Sequence, residues 1–136
     1  MSPVPLQQVN CMAIYPDKTL LATGGFQHVS IYDTMSQNQE AIYNLEGTVK
    51  NTIAIGFQDK GAWMYTAGED KHLKLWDMKS RYINSLECYT HPQPITCVAL
   101  HHNQVDFFVG DEAGNLLRWD IRANKVDFCV QSLVLC

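Results

Sequence analysis

Basic residues are few in this sequence and nowhere clustered. Lys and Arg number 10 against 14 Asp and Glu, for a formal net charge of −4. Such a chain has no electrostatic footprint for nucleic acid, which is held largely through neutralised phosphates, and none for an anionic membrane surface. Long apolar runs are missing too. Nothing approaches the ~20 residues of a membrane-spanning helix, and the opening MSPVPLQQ has neither the basic region nor the apolar core of a secretory leader. The five cysteines (Cys11, Cys88, Cys97, Cys129 and Cys136) are odd in number and sit mostly among apolar residues. Buried free thiols in a reducing compartment explain that better than a disulfide framework. A cytoplasmic protein is therefore expected. Helical periodicity and low-complexity linkers are absent as well, so residues 1–136 read as one domain without helices.

What the sequence does have is repetition. Ala22–Asp33 (ATGGFQHVSIYD), Thr66–Asp77 (TAGEDKHLKLWD) and Val109–Asp120 (VGDEAGNLLRWD) share one pattern and align without a gap, their closing aspartates 44 and 43 residues apart. A period of about 40–45 residues closing on Trp-Asp marks the blade of a WD40 β-propeller. Each repeat offers four short strands. Val9–Tyr15, Thr19–Thr23, His28–Tyr32 and Ala41–Leu45 form the first set, with Gly24-Gly25 as a turn. Ile53–Phe57, Ala62–Thr66, His72–Trp76 and Tyr82–Tyr89 form the second, and Ile95–Leu100, Asp106–Val109, Asn115–Trp119 and Val126–Val130 the third. The expected fold is all-β: three four-stranded antiparallel blades, at about 7–45, 51–89 and 93–131, making an incomplete ring.

A blade buries both faces against its neighbours, which is why the inner strands read as nearly continuous apolar runs. The third strand closes on a large aromatic with one polar atom, Tyr32, Trp76 or Trp119. In the WD40 pattern that atom belongs to a network with a turn Asp, a second-strand Ser or Thr, and a His ahead of the first strand. Repeat two keeps Asp70, Thr66 and Trp76 but has Thr48 for the His. Repeat three keeps His91 and Trp119 but has Ala113 for the Asp, and repeat one has Phe26 and Tyr32. No repeat carries the whole set, so each blade depends on its neighbours. Arg118 stands where the other repeats have Ile31 and Leu75, and either its head reaches a rim or the strand shifts register.

Further residues of these repeats resemble one family. Gln8-Val9-Asn10, Gln27–Asp33, Trp63-Met64-Tyr65-Thr66 followed by Gly68-Glu69-Asp70, Trp76-Asp77 with Ser80-Arg81, and His101 before Asn103-Gln104 and Val109-Gly110-Asp111 are similar to the lethal with Sec-thirteen family. The likeness runs from about Gln7 to Asp120. It implies a seven-bladed propeller that packs on the catalytic region of the TOR kinase, supports its activity beside the other TOR complex subunits, and has no catalysis of its own. Three repeats are too few to close a ring of about 4–8 blades, and the tail from Cys129 to Cys136 leaves the family pattern, so a truncated form is expected. Its two open blade faces are apolar surfaces through which copies can self-associate.

No chemistry competes with a binding role. Cys88, His91, Cys97 and His101 are zinc-type ligands, but a strand over Ile95–Leu100 would hold the ends of that set roughly 20 Å apart. Asp70, Asp77 and Asp111 fall at turn positions, no Cys–His pair has an orienting third group, and Gly24-Gly25 opens no helix for a phosphate. Neither metal, cofactor nor catalytic residue is expected. The binding candidates are residues on one rim: Phe26, Lys50, Glu69, Lys71, Gln93 and Glu112. Phe26, an aromatic at a loop tip, is the strongest anchor among them. An adaptor or substrate receptor of another assembly is the alternative function, and a non-functional fragment the third.

Overall fold

The computed structural model describes residues 8–37, 40–45, 50–80 and 83–130. Twelve strands run in sequence: β1 (Val9–Ile14), β2 (Leu20–Gly25), β3 (His28–Asp33), β4 (Tyr43–Leu45), β5 (Thr52–Phe57), β6 (Trp63–Gly68), β7 (His72–Asp77), β8 (Asn84–Thr90), β9 (Ile95–Leu100), β10 (Asp106–Asp111), β11 (Leu116–Asp120) and β12 (Lys125–Val130). They form three antiparallel sheets, β1–β4, β5–β8 and β9–β12, each paired strictly in chain order. The all-β, four-stranded expectation holds. Thr48, Arg81, Tyr82 and the tail beyond Val130 lie outside the described residues.

The sheets stack through their inner strands, β1 beside β5 and β5 beside β9. Because side chains alternate across a strand, each sheet has a leading face toward the preceding sheet and a trailing face toward the next. Ala22, Val29 and Ile31 on the trailing face of sheet one meet Ile55, Met64 and Trp76 on the leading face of sheet two. Trp63, Ala67, Leu73 and Leu75 on the other side of sheet two meet Ile95, Phe107, Val109 and Trp119 of sheet three. The second junction is aromatic: Phe107 lies between the rings of Tyr65 at 5.1 Å and Trp119 at 5.8 Å, and Trp119 stacks on Tyr89 at 5.5 Å. Among the described residues, the middle sheet packs apolar clusters on both of its faces.

Two sets of turns mark the two rims. Lys18, Gly61 and Gln104 all take positive φ (69°, 74° and 62°) at the same place in the first-to-second-strand turns. That rim is clamped where the Tyr15 hydroxyl donates to the Gly61 carbonyl (2.7 Å) and the Asp59 amide donates to Gln104 Oε1 (2.8 Å).

The opposite rim departs from the expected alignment. Gly24 and Gly25 are not a turn: they lie inside β2, buried, paired with Val29 and His28. A side chain on Gly24 would meet Cys11 Sγ and Thr52 at 2.8 Å, so the close approach of β1 and β5 requires glycine there. The turn is Phe26-Gln27, two residues, where the next sheet uses Glu69-Asp70-Lys71 and the third Glu112-Ala113-Gly114. The gapless alignment is therefore wrong across this turn. Thr23, paired with Ser30, and not Ala22, occupies the place of Thr66, paired with Lys74. Arg118 is settled without a register shift against β10; the irregularity between β11 and β12 falls at Leu116/Leu117. Arg118 pairs with Phe108 and Asp127 across β10–β11–β12 and turns its head along the outer face of sheet three, NH2 to Asp127 Oδ2 at 3.2 Å.

Candidate protein-binding rim

Phe26, Lys50 and Glu69 gather around one residue, Asn51. Phe26 forms an antiparallel bridge with Asn51, and the Gln27 amide donates to the Lys50 carbonyl at 3.1 Å. Asn51 Nδ2 donates to Glu69 Oε2 (3.3 Å), its Oδ1 accepts from Asn10 Nδ2 (3.0 Å), and its carbonyl accepts from the Glu69 amide (3.0 Å). A short turn with Gln27 in the left-handed region (φ 56°) thus carries an aromatic that is 49% exposed and tied on its C-terminal side to the next sheet. Lys50 is exposed and Glu69 half-buried. Sequence reading missed Asn51. Its one signal is positional: it precedes β5 as Pro94 precedes β9, and the Glu112 amide donates to the Pro94 carbonyl (3.3 Å) as Glu69 does to Asn51.

Lys71, Gln93 and Glu112 form a second group on the same rim, at the junction of sheets two and three. Lys71 and Glu112 are exposed and Gln93 half-buried. The His91 amide donates to the Lys71 carbonyl at 2.7 Å. His91 itself is fully buried. Its Nε2 lies 2.7 Å from Asp111 Oδ2 and its Nδ1 2.9 Å from the Tyr89 hydroxyl. The carboxylate can only accept, so the ring proton faces Asp111 and the Tyr89 hydroxyl donates to Nδ1. Asp111 also accepts from the Ala113 and Asn115 amides (2.9 and 3.0 Å) and from Asn115 Nδ2 (3.2 Å). Burial pushes its carboxyl up, but these donors together outweigh it and hold Asp111 below the usual carboxylate range. The acid missing at Ala113 is thus supplied two residues earlier, by an aspartate read as an ordinary turn residue.

In sheet two the Trp76 indole donates to Thr66 Oγ1 at 3.0 Å, whereas Asp70 accepts the His72 amide (3.2 Å) within its own turn. Val109 cannot accept at the place of Thr66, and Trp119 donates instead to Asn124 Oδ1 (3.1 Å). Tyr32 is half-buried on the leading face of sheet one.

The zinc-type residues go separate ways: Cys88 Sγ and Thr90 Oγ1 lie 3.5 and 3.2 Å from His72 Nδ1, while His91 belongs to Asp111. Among the described residues no group of three or more His, Cys, Asp or Glu could hold a metal ion. The Cys88–His72 approach follows from the β7–β8 register, which the sequence does not display. Burial raises the Cys88 thiol, further raised by Asp70 and only partly offset by Lys74 and Thr90, so the pair is not an activated nucleophile.

Repeat, sheet order and rim are consistent with WD40 blades, and a family model described as "WD domain, G-beta repeat" matches residues 39–77. The chain is also similar to proteins named as TOR complex subunits. It is 40% identical over 117 residues to "Target of rapamycin complex subunit LST8" of Bos taurus, 86% of this chain and 36% of the relative. It is 38% identical over 122 residues to "Protein LST8 homolog" of Drosophila pseudoobscura pseudoobscura, 90% of this chain and 39% of the relative. With "Target of rapamycin complex subunit wat1" of Schizosaccharomyces pombe the identity is 34% over 127 residues, 93% of this chain and 39% of the relative. The chain therefore spans little more than a third of the length of these relatives.

Proposed function

We propose that this chain is a non-catalytic, cytoplasmic scaffold of TOR signalling, a single partial propeller with blades at about 7–45, 51–89 and 93–131, that binds the catalytic region of the TOR kinase. The names of its relatives support a place in TOR complexes. The observation that carries the binding mode is Phe26: half-exposed, projecting from a tight turn, and anchored to the next sheet through Asn51. An exposed aromatic already held in place loses little freedom on docking, which is how interface anchors gain affinity. Lys50, Glu69, Lys71, Gln93 and Glu112 supply the polar surround of the same rim.

The test is co-purification of the kinase with the tagged chain from cells. Phe26→Asp is expected to lower recovered kinase at least tenfold, while Leu86→Lys, on the exposed outer strand β8, leaves it unchanged. Equal recovery with both variants would remove the rim from the interface, and no kinase with the unaltered chain would remove the reading itself.

A further inference from the structure

His72, Cys88 and Thr90 bring three donor atoms of different chemistry together on the middle sheet. In the β7–β8 ladder His72 is directly opposite Thr90, and Cys88, opposite Lys74, is its diagonal neighbour on the same face. Cys88 Sγ lies 3.5 Å and Thr90 Oγ1 3.2 Å from His72 Nδ1, and the Thr90 hydroxyl also hydrogen-bonds the thiol. A sulfur, a nitrogen and an oxygen thus stand at the corners of one triangle. His28 holds the same place in β3, but its Nδ1 turns to the Phe26 carbonyl at 3.2 Å, so the convergence is not a feature of every blade. β7 and β8 pair with each other inside one sheet. Their register alone brings the three groups together, whatever chain lies before sheet one or after sheet three.

Hydrogen bonding does not use this triangle fully. Nδ1 offers either one lone pair or one proton, so it serves the thiol or the hydroxyl well, but not both. A cation that accepts from all three atoms meets no such limit. Around tetrahedral zinc, a sulfur and a nitrogen ligand lie about 3.5–3.6 Å apart, and an oxygen and a nitrogen about 3.3–3.5 Å. Both separations measured from Nδ1 are close to those edges. Thiolate and imidazole also suit zinc in softness. Of the nearby charges, Asp70 favours a cation here and Lys74, across from Cys88, opposes one.

We propose that Cys88 Sγ, His72 Nδ1 and the Thr90 hydroxyl form a binding site for Zn²⁺, with water in the remaining position. Of the four zinc-type residues picked out by spacing, only Cys88 belongs to it. The ion takes the sulfur as thiolate, so binding releases the thiol proton to solvent. Two strong ligands and one hydroxyl hold zinc less tightly than a four-ligand structural centre, and the ion exchanges. The site does not rest on kinase binding.

Alkylation of Cys88 in the unaltered 136-residue chain, followed by mass spectrometry with and without Zn²⁺, tests it. Zinc should slow modification of Cys88 about tenfold or more in the parent and hardly at all in His72→Ala. Co²⁺, as a spectroscopic probe, should give a thiolate-to-metal absorption that Cys88→Ser abolishes and Cys97→Ser leaves in place. These positions are exposed or half-buried, so each variant should melt as cooperatively as the parent. Equal modification of the parent with and without zinc overturns the proposal. Protection that survives His72→Ala overturns the shared site, because the thiol alone would then take the ion. A cobalt absorption retained in Cys88→Ser puts the metal on another thiol and overturns it as well.

Discussion

His91 has no solvent-exposed surface and lies between Tyr89 and Asp111, contributed by two different sheets. Removing Asp111 would leave the His91 Nε2–H and the Ala113 and Asn115 amides short of an acceptor, and one buried unpaired donor costs about 1–3 kcal/mol. The depressed carboxyl gives this a pH dependence. A group whose folded value lies below its unfolded value stabilises the fold fully above the unfolded value, about 3.9, and the benefit disappears as pH falls through the folded one. Denaturant midpoints measured from pH 7 downward should therefore fall below about pH 4 in the parent, and Asp111→Asn should be less stable at neutral pH with a shallower acid loss. His91 was legible in the sequence, but its aromatic partner Tyr89 was not, and the expected aromatic, Trp119, donates to Asn124 instead. The acid was not, because a carboxylate two residues off the expected place reaches the same ring through a different turn. Nothing in residue spacing reports that reach. The Cys11 thiol is pushed up to about 11 by burial, only partly relieved by a hydrogen bond to Gly24, yet the residue is only half-buried and Cys88 and Cys97 are exposed, so the expectation of buried thiols is not met by these three.

At the scale of elements, the twelve strands were visible as apolar runs between turn residues because each inner strand is covered on at least one face. What escaped was a single missing residue. The first-to-second-strand turns keep a spacing of 43 from Lys18 to Gly61 to Gln104, while Gln27, Lys71 and Gly114, the left-handed residues before each third strand, are 44 and 43 apart. The extra residue of the second turn lies inside the repeated window, but Gly24-Gly25 resembles a turn so well that the windows align without a gap. Backbone pairing, not residue type, reveals the slip. The other rim offers a sharper test. Gly61 alone of its three equivalents is glycine, and a side chain there would run into the Tyr15 ring that clamps sheet one to sheet two. Gly61→Ala should cost about 1–3 kcal/mol through positive φ and that collision. The same change should reduce protection of the Tyr15 region. Thermal unfolding read beside the parent checks the first, and proteolysis between sheets one and two the second.

Across the whole molecule, stability is unevenly shared. Among the described residues, sheet two has apolar neighbours on both faces, while sheets one and three have one each. Units that contact only their neighbours add their stabilities along a line, and the unit with two interfaces opens last. Amide exchange should be slowest in β6 and β7 and fastest in β4 and β12. Uniform exchange across all three sheets would mean that they open together. The strand order has one more consequence. Every hydrogen-bonded neighbour is also the next strand in the chain, so no sheet waits for a segment not yet made. As the polypeptide leaves the ribosome at about 5–20 residues per second, each hairpin can close within microseconds of emerging. The first sheet can close before the second has emerged, and each new sheet is then added to a surface that is already folded.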